Sequence, residues 1–196
     1  QVAKKHFLRI KDNLSPNLLF EEFLGNILLA WNEAAQKNTV ESLVFFNKIP
    51  NRYLNLKNIQ NCFFQCYFDT KDTKLHFENL VEMEGAGYSR YYFFFANYLI
   101  SKNNIEEAKK IIISSRKENT SNILLKQSEN FILNNKTKEI TNFFDCTSPK
   151  DNLAEIFYLI ANLFSGQEDY QASNFYLKVS FFLNKKFKPN RTLLAE

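Results

Sequence analysis

Four glycines and four prolines in 196 residues leave few places where the backbone can turn by its own freedom. A fold of short strands joined by tight hairpins is excluded, because such turns need residues of that kind. No apolar run reaches the roughly 18 residues that cross a bilayer as a helix. The densest, YYFFFANYLI from Tyr91 to Ile100, is too short. There is no glycine-rich loop to cradle a phosphate. Cysteine is limited to Cys62, Cys66 and Cys146, an odd number without scaffold spacing, which argues against covalent stapling. The net charge is only +4 and its lysines and glutamates are dispersed, so charge alone gives little hold on nucleic acid or lipid. The opening QVAKKHF has neither an initiator methionine nor a signal peptide, and the close at Leu193-Leu194-Ala195-Glu196 reads as a helix start. Both ends predict a piece of something longer.

What the chain does have is phenylalanine, 21 residues in an aromatic share of 16%, and each ring offers a large buried area. Apolar residues recur at three- and four-residue spacing almost throughout, and strand-like alternation is missing. The class is therefore all-α. The spacing predicts a helix over 2–13 that stops at Ser15-Pro16, then pairs at 18–36 and 39–48, 55–69 and 72–84, 88–102 and 105–117, 121–134 and 137–146, and 152–166 and 169–184. Gly85-Ala86-Gly87 supplies one stop, and Asp151 or Asn152 is the expected cap of the ninth helix of these five pairs. A small residue returns once per pair at Ala30, Cys62, Ala96, Ser128, Ala161 and Ala195, with gaps of 32, 34, 32, 33 and 34 by subtraction. Close approach of neighbouring helix backbones requires little side chain there, and a period near 34 marks a repeat array. One elongated domain is expected, with units at about 18–50, 55–87, 88–120, 121–153 and 154–187.

The segments Tyr88 to Asn119 and Ala154 to Lys185 resemble tetratricopeptide repeats. The stretch from Phe20 onward is similar to long alphaproteobacterial repeat proteins of the cell envelope, where a helix pair ends in a corner and an L-L-A-E start follows. Here Leu183-Asn184-Lys185 stands at that corner without its usual proline. The resemblance implies a right-handed α-α superhelix of about five helix pairs, a non-enzymatic role, no cofactor, and a protein or peptide partner held in the concave groove. It also implies a periplasmic or membrane-associated location in a bacterial envelope. Carried over position by position, the groove residues are Arg90, Phe93, Asn97, Glu155, Tyr158 and Asn162, with the two asparagines bonding a ligand backbone. Phe93 and Tyr158 stand where clamp-forming members carry lysine, which favours an apolar anchor over an acidic tail. Packing of these aromatics on a neighbouring unit is the competing reading.

Other chemistry is thin. Cys62, Cys66 and His76 could converge on a metal, but a fourth ligand is missing and cysteine on an apolar stripe is usually a small core residue. His6, beside Lys4 and Lys5, is read as solvated, and Glu82, Glu84, Glu106 and Glu107 as charges on exposed faces. Lys185, Lys186, Lys188 and Arg191, interleaved with Phe187, form the best nucleic-acid candidate, and an inter-repeat corner is the plainer account. The alternative function, an RNA-binding pentatricopeptide-like array, would need a side-chain code that recurs in each unit; only one unit approaches it. Uncapped apolar ends, Val2, Phe7 and Ile10 at one and Leu193 and Leu194 at the other, suggest self-association.

Overall fold

The computed structural model describes residues 19–83 and 86–188. The expected helix over 2–13, its Ser15-Pro16 stop, His6, Glu84, Gly85, Arg191, Ala195 and the apolar residues near both ends lie outside the described residues. Within them there is no strand, and a π-helical turn at Leu19–Leu24 leads into ten α-helices. These are α1 (Gly25–Ala35), α2 (Thr39–Asn47), α3 (Leu54–Tyr67), α4 (Thr73–Val81), α5 (Tyr91–Ser101), α6 (Ile105–Glu118), α7 (Ile123–Leu133), α8 (Thr137–Phe143), α9 (Pro149–Ser165) and α10 (Tyr170–Leu183). They form five helix-elbow-helix pairs.

Each elbow is built the same way. The residue seven places after the recurring small residue has positive φ: Lys37 at 63°, Asp69 at 50°, Asn103 at 61°, Asn135 at 57° and Glu168 at 63°. The next amide then reaches back to the last turn, Asn38 to Glu33 at 2.9 Å, Thr70 to Gln65 at 3.1 Å, Asn104 to Leu99 at 2.8 Å, Lys136 to Phe131 at 2.7 Å and Asp169 to Phe164 at 3.0 Å. A second bond, three residues back, closes each elbow, such as Lys37 N–H to Ala34 C=O at 2.9 Å and Glu168 N–H to Ser165 C=O at 3.0 Å. This is the Schellman pattern, which satisfies carbonyls that a helix end leaves open. No elbow uses glycine at the left-handed position. The five small residues Ala30, Cys62, Ala96, Ser128 and Ala161 are all buried.

The chain divides into two compact units, the first running to Gln60 and the second starting at Asn61, within α3. In the first, α1 lies along α2. Ala30 presents only a methyl group to its partner, and its carbonyl accepts a 2.9 Å bond from the Ser42 hydroxyl. Trp31 is fully buried and its indole N–H donates to Gln60 Oε1 at 3.0 Å. In the second unit α5 is central, packing against α4, α6, α7 and α8. Its Phe94 ring lies 5.2 Å from Phe63, 4.7 Å from Phe144 and 5.7 Å from Phe187. Each such ring withdrawn from water contributes about 2 to 3 kcal/mol. α9 packs extensively on α10, where the Ser180 hydroxyl donates to Ala154 C=O at 2.7 Å.

The expected 18–36 helix begins as the π-helical turn and the expected 88–102 helix as a 3-10 turn, Ala86–Arg90, and two further local expectations change. The eighth helix stops at Phe143 rather than 146, because Phe144 is extended, with φ −151° and ψ 137°. The ninth begins at Pro149: Ser148, not Asp151 or Asn152, is its cap, accepting from the Asp151 N–H. Proline fits the first turn because the amide it lacks would have no helical partner there. Its ring therefore starts α9.

Candidate functional site

The six residues expected in a groove sit on the 3-10 turn Ala86–Arg90 and on α5 and α9. The structure joins three of them. Arg90 donates from Nε to Glu155 Oε1 and from Nη2 to Glu155 Oε2, both at 2.7 Å. Its guanidinium lies 4.0 Å from the centroid of the Tyr158 ring and 4.8 Å from that of Phe187. A planar fork stacked on rings and paired twice with one carboxylate suits arginine and not lysine. Burial pushes the Glu155 carboxyl above the ordinary carboxylate range, with Arg90 pulling the other way. Burial pulls Arg90 down, and Glu155 more than restores it.

The other three are placed as follows. Asn97 is buried, and its amide donates to two backbone carbonyls, Ile140 and Phe144, at 2.9 Å each. It bonds a backbone, as expected, but that of its own chain. Phe93 is buried too, stacked on Phe187 with ring centroids 5.4 Å apart. Half-buried Asn162 donates to Tyr158 C=O one turn back in its own helix at 2.8 Å. Phe93, Asn97 and Glu155 are thus closed to solvent. The segment around Phe144 and the residue Phe187 occupy the space beside α5.

Phe187 therefore serves the core rather than interleaving with lysines on the surface. Lys185, Lys186 and Lys188 around it are exposed.

The cysteine expectation is corrected. Cys66, at the end of α3, is joined to Cys146, two residues beyond Phe144, with Cα atoms 5.9 Å apart. An 80-residue separation gives no spacing signature, and only the fold brings the two thiols together. Cys62 remains free and buried, and desolvation raises its pKa well above the usual thiol range, so it is a poor nucleophile. The Cys62, Cys66 and His76 set is broken by the disulfide, and His76 Nδ1 faces Asn61 Nδ2 at 3.4 Å. Among the described residues no group of three His, Cys, Asp or Glu could hold a metal.

Open surface lies elsewhere, at residues the sequence reading did not single out. Along α7, Ile123, Lys126, Gln127, Asn130 and Leu133 line an open groove of about 610 Å³ together with Glu129. Ile123 is 68% exposed and Leu133 56%, so the groove is apolar at both ends and carries amides in the middle. Glu129 pairs with Arg116 at 3.6 Å. The repeat register held the signal: Leu124, Leu125, Ser128 and Ile132 fill the buried face of α7, which leaves Ile123 and Leu133 off it. A second open surface is the outward side of α10, where Phe175 and Phe182 are exposed. Comparison with protein-family models, with curated proteins and with solved structures finds no match to this chain.

Proposed function

We propose that the chain is a non-enzymatic, protein-binding scaffold of the tetratricopeptide type, its helix pairs winding in the right-handed sense, and that it holds a peptide or partner protein along α7. The observation that carries this reading is the α7 groove. A first helix of one pair offers Ile123 and Leu133 to solvent about 15 Å apart at the 1.5 Å helical rise, with Gln127 and Asn130 between them. Apolar anchors flanking amide donors and acceptors are what a helical or extended peptide needs, the anchors for affinity and the amides for register. The space beside Phe93 and Asn97 does not serve, since the chain's own Phe144 and Phe187 fill it.

The test is capture of partners by the parent protein and by an Ile123→Ser, Leu133→Ser double variant. Both positions are exposed, so the melting temperature should stay within about 1 °C of the parent if each change costs only a few tenths of a kcal/mol. The double variant should lose the partners that the parent retains. A folded double variant that keeps all of them overturns the assignment to α7.

A further inference from the structure

The outward side of α10 carries chemistry that a protein-binding groove does not use. Residues 170–188, YQASNFYLKVSFFLNKKFK, contain four lysines and no acid. Ser173, Leu177 and Ser180 form the buried side of the helix. Phe175 and Phe182, seven residues apart and so on one face, point the opposite way, 59% and 74% exposed. Lys178 lies between them on that face, and Lys185 and Lys186 follow the helix end, all three exposed. None of the three forms an ion pair with a described residue. Asp145 and Asp151 share a groove of about 550 Å³ with Lys185 and Lys186. Asp151 accepts from Asp145 N–H and the Ser148 hydroxyl, and Asp145 accepts from the Thr147 N–H and hydroxyl through Oδ1 alone. Burial raises the Asp151 carboxyl and Lys186 is among the groups that pull it back, so Lys186 is shared in part with this acid.

We infer that this ridge docks the protein on an anionic lipid bilayer, with Phe175 and Phe182 entering the headgroup boundary and Lys178, Lys185 and Lys186 meeting the lipid charge. The shape of the ridge decides among anionic partners. Two phenyl rings directly opposite the core-facing side of a helix form a convex line, which a flat, deformable surface can receive at both points together. A peptide would need a cleft to enclose both rings; Phe182 borders the groove shared by Lys185 and Lys186, but Phe175 lies outside it. Phenylalanine facing the acyl boundary with lysines alongside is the composition of an interfacial helix. No helix among the described residues is long and apolar enough to cross the bilayer.

The probe is a set of unilamellar vesicles, phosphatidylcholine alone and phosphatidylcholine mixed with phosphatidylserine, used for co-sedimentation with the whole chain. The parent should sediment with the anionic vesicles and much less with the neutral ones, and added salt should release it. Each lysine near an anionic surface accounts for about a five-fold change in partitioning, so a Lys178→Gln, Lys185→Gln, Lys186→Gln triple variant should bind about a hundred-fold more weakly. A Phe175→Ser, Phe182→Ser double variant should lose roughly ten-fold or more, since the rings supply the inserted apolar area. All five positions are exposed, and unchanged melting curves verify that either variant is folded. The inference is overturned if the parent ignores anionic vesicles or if the phenylalanine variant binds them as well as the parent. It is equally overturned if the ridge instead proves to bind a fluorescent oligouridylate, or if it holds two copies of the chain together without lipid.

Discussion

At Glu168 and Lys37 the backbone enters the left-handed region with a side chain that gains nothing from being there. The conformation crowds Cβ against the following carbonyl, a cost glycine avoids. Glu168→Gly should therefore raise stability by about 1 kcal/mol, read as a shift in denaturant midpoint at constant slope. Asn103→Gly should do much less, because asparagine tolerates this region. The Arg90 and Glu155 pair makes the opposite case. Removing either partner leaves an uncompensated charge inside the second unit, so Glu155→Ala should cost about 3 to 5 kcal/mol. A volume-matched apolar pair, Arg90→Met with Glu155→Leu, should recover most of that loss, and a double-mutant cycle in urea separates the two outcomes. At this scale the sequence was legible where the signal is local. Ala30, Ala96 and Ala161 declare themselves by size and period, whereas nothing across the 65-residue separation of Arg90 and Glu155 announces that the two meet. Position alone nominated both, and the role it suggested, lining an open groove, missed that each had a partner already.

Among the elements, helix existence was readable and helix ends were not. All ten helices lie where apolar periodicity places them, because three- and four-residue spacing needs only one turn of context. Their ends depend on caps, and caps are decided by competition among neighbouring polar residues. Around α9, Ser148, Asp151 and Asn152 are each able to cap, and Ser148 prevails because Pro149 sets the helical dihedral immediately after it. Asn152 is then free to donate to Cys146 C=O at 2.8 Å. At α10 the cap is Asp169, which accepts from Ala172 N–H at 3.0 Å. Asp169→Ala should cost about 1 kcal/mol, and Asp169→Asn only a few tenths. Thermal unfolding followed by circular dichroism would distinguish the pair. Equal losses would mean that the charge near the helix start, and not the hydrogen bond, carries the effect.

For the molecule as a whole, the disulfide is the feature that sequence reasoning set aside and the structure supplies. Closing a loop of 80 residues removes freedom from the unfolded chain worth about 4 to 5 kcal/mol in the chain-entropy account. Reduction, or Cys66→Ser with Cys146→Ser, should lower the stability of the second unit by up to that amount. Hydrogen exchange should show the loss at α5 and α8 and leave the amides of α1 and α2 unchanged, since those lie in the first unit. A uniform loss across both units would show that they unfold as one.

The way α5 is enclosed bears on how such a chain can change in length. Arrays whose units touch only their neighbours can be shortened or extended by recombination, each unit standing in for any other. Here Asn97 in the third pair takes its acceptors from the end of the fourth, and Arg90 in the third takes its counter-ion from the fifth. Excising the fourth pair would strip Asn97 of both acceptors, delete Phe144 and Cys146, and orphan Cys66. The last three pairs therefore form one interlocked block, in which no pair can stand in for another despite their like elbows.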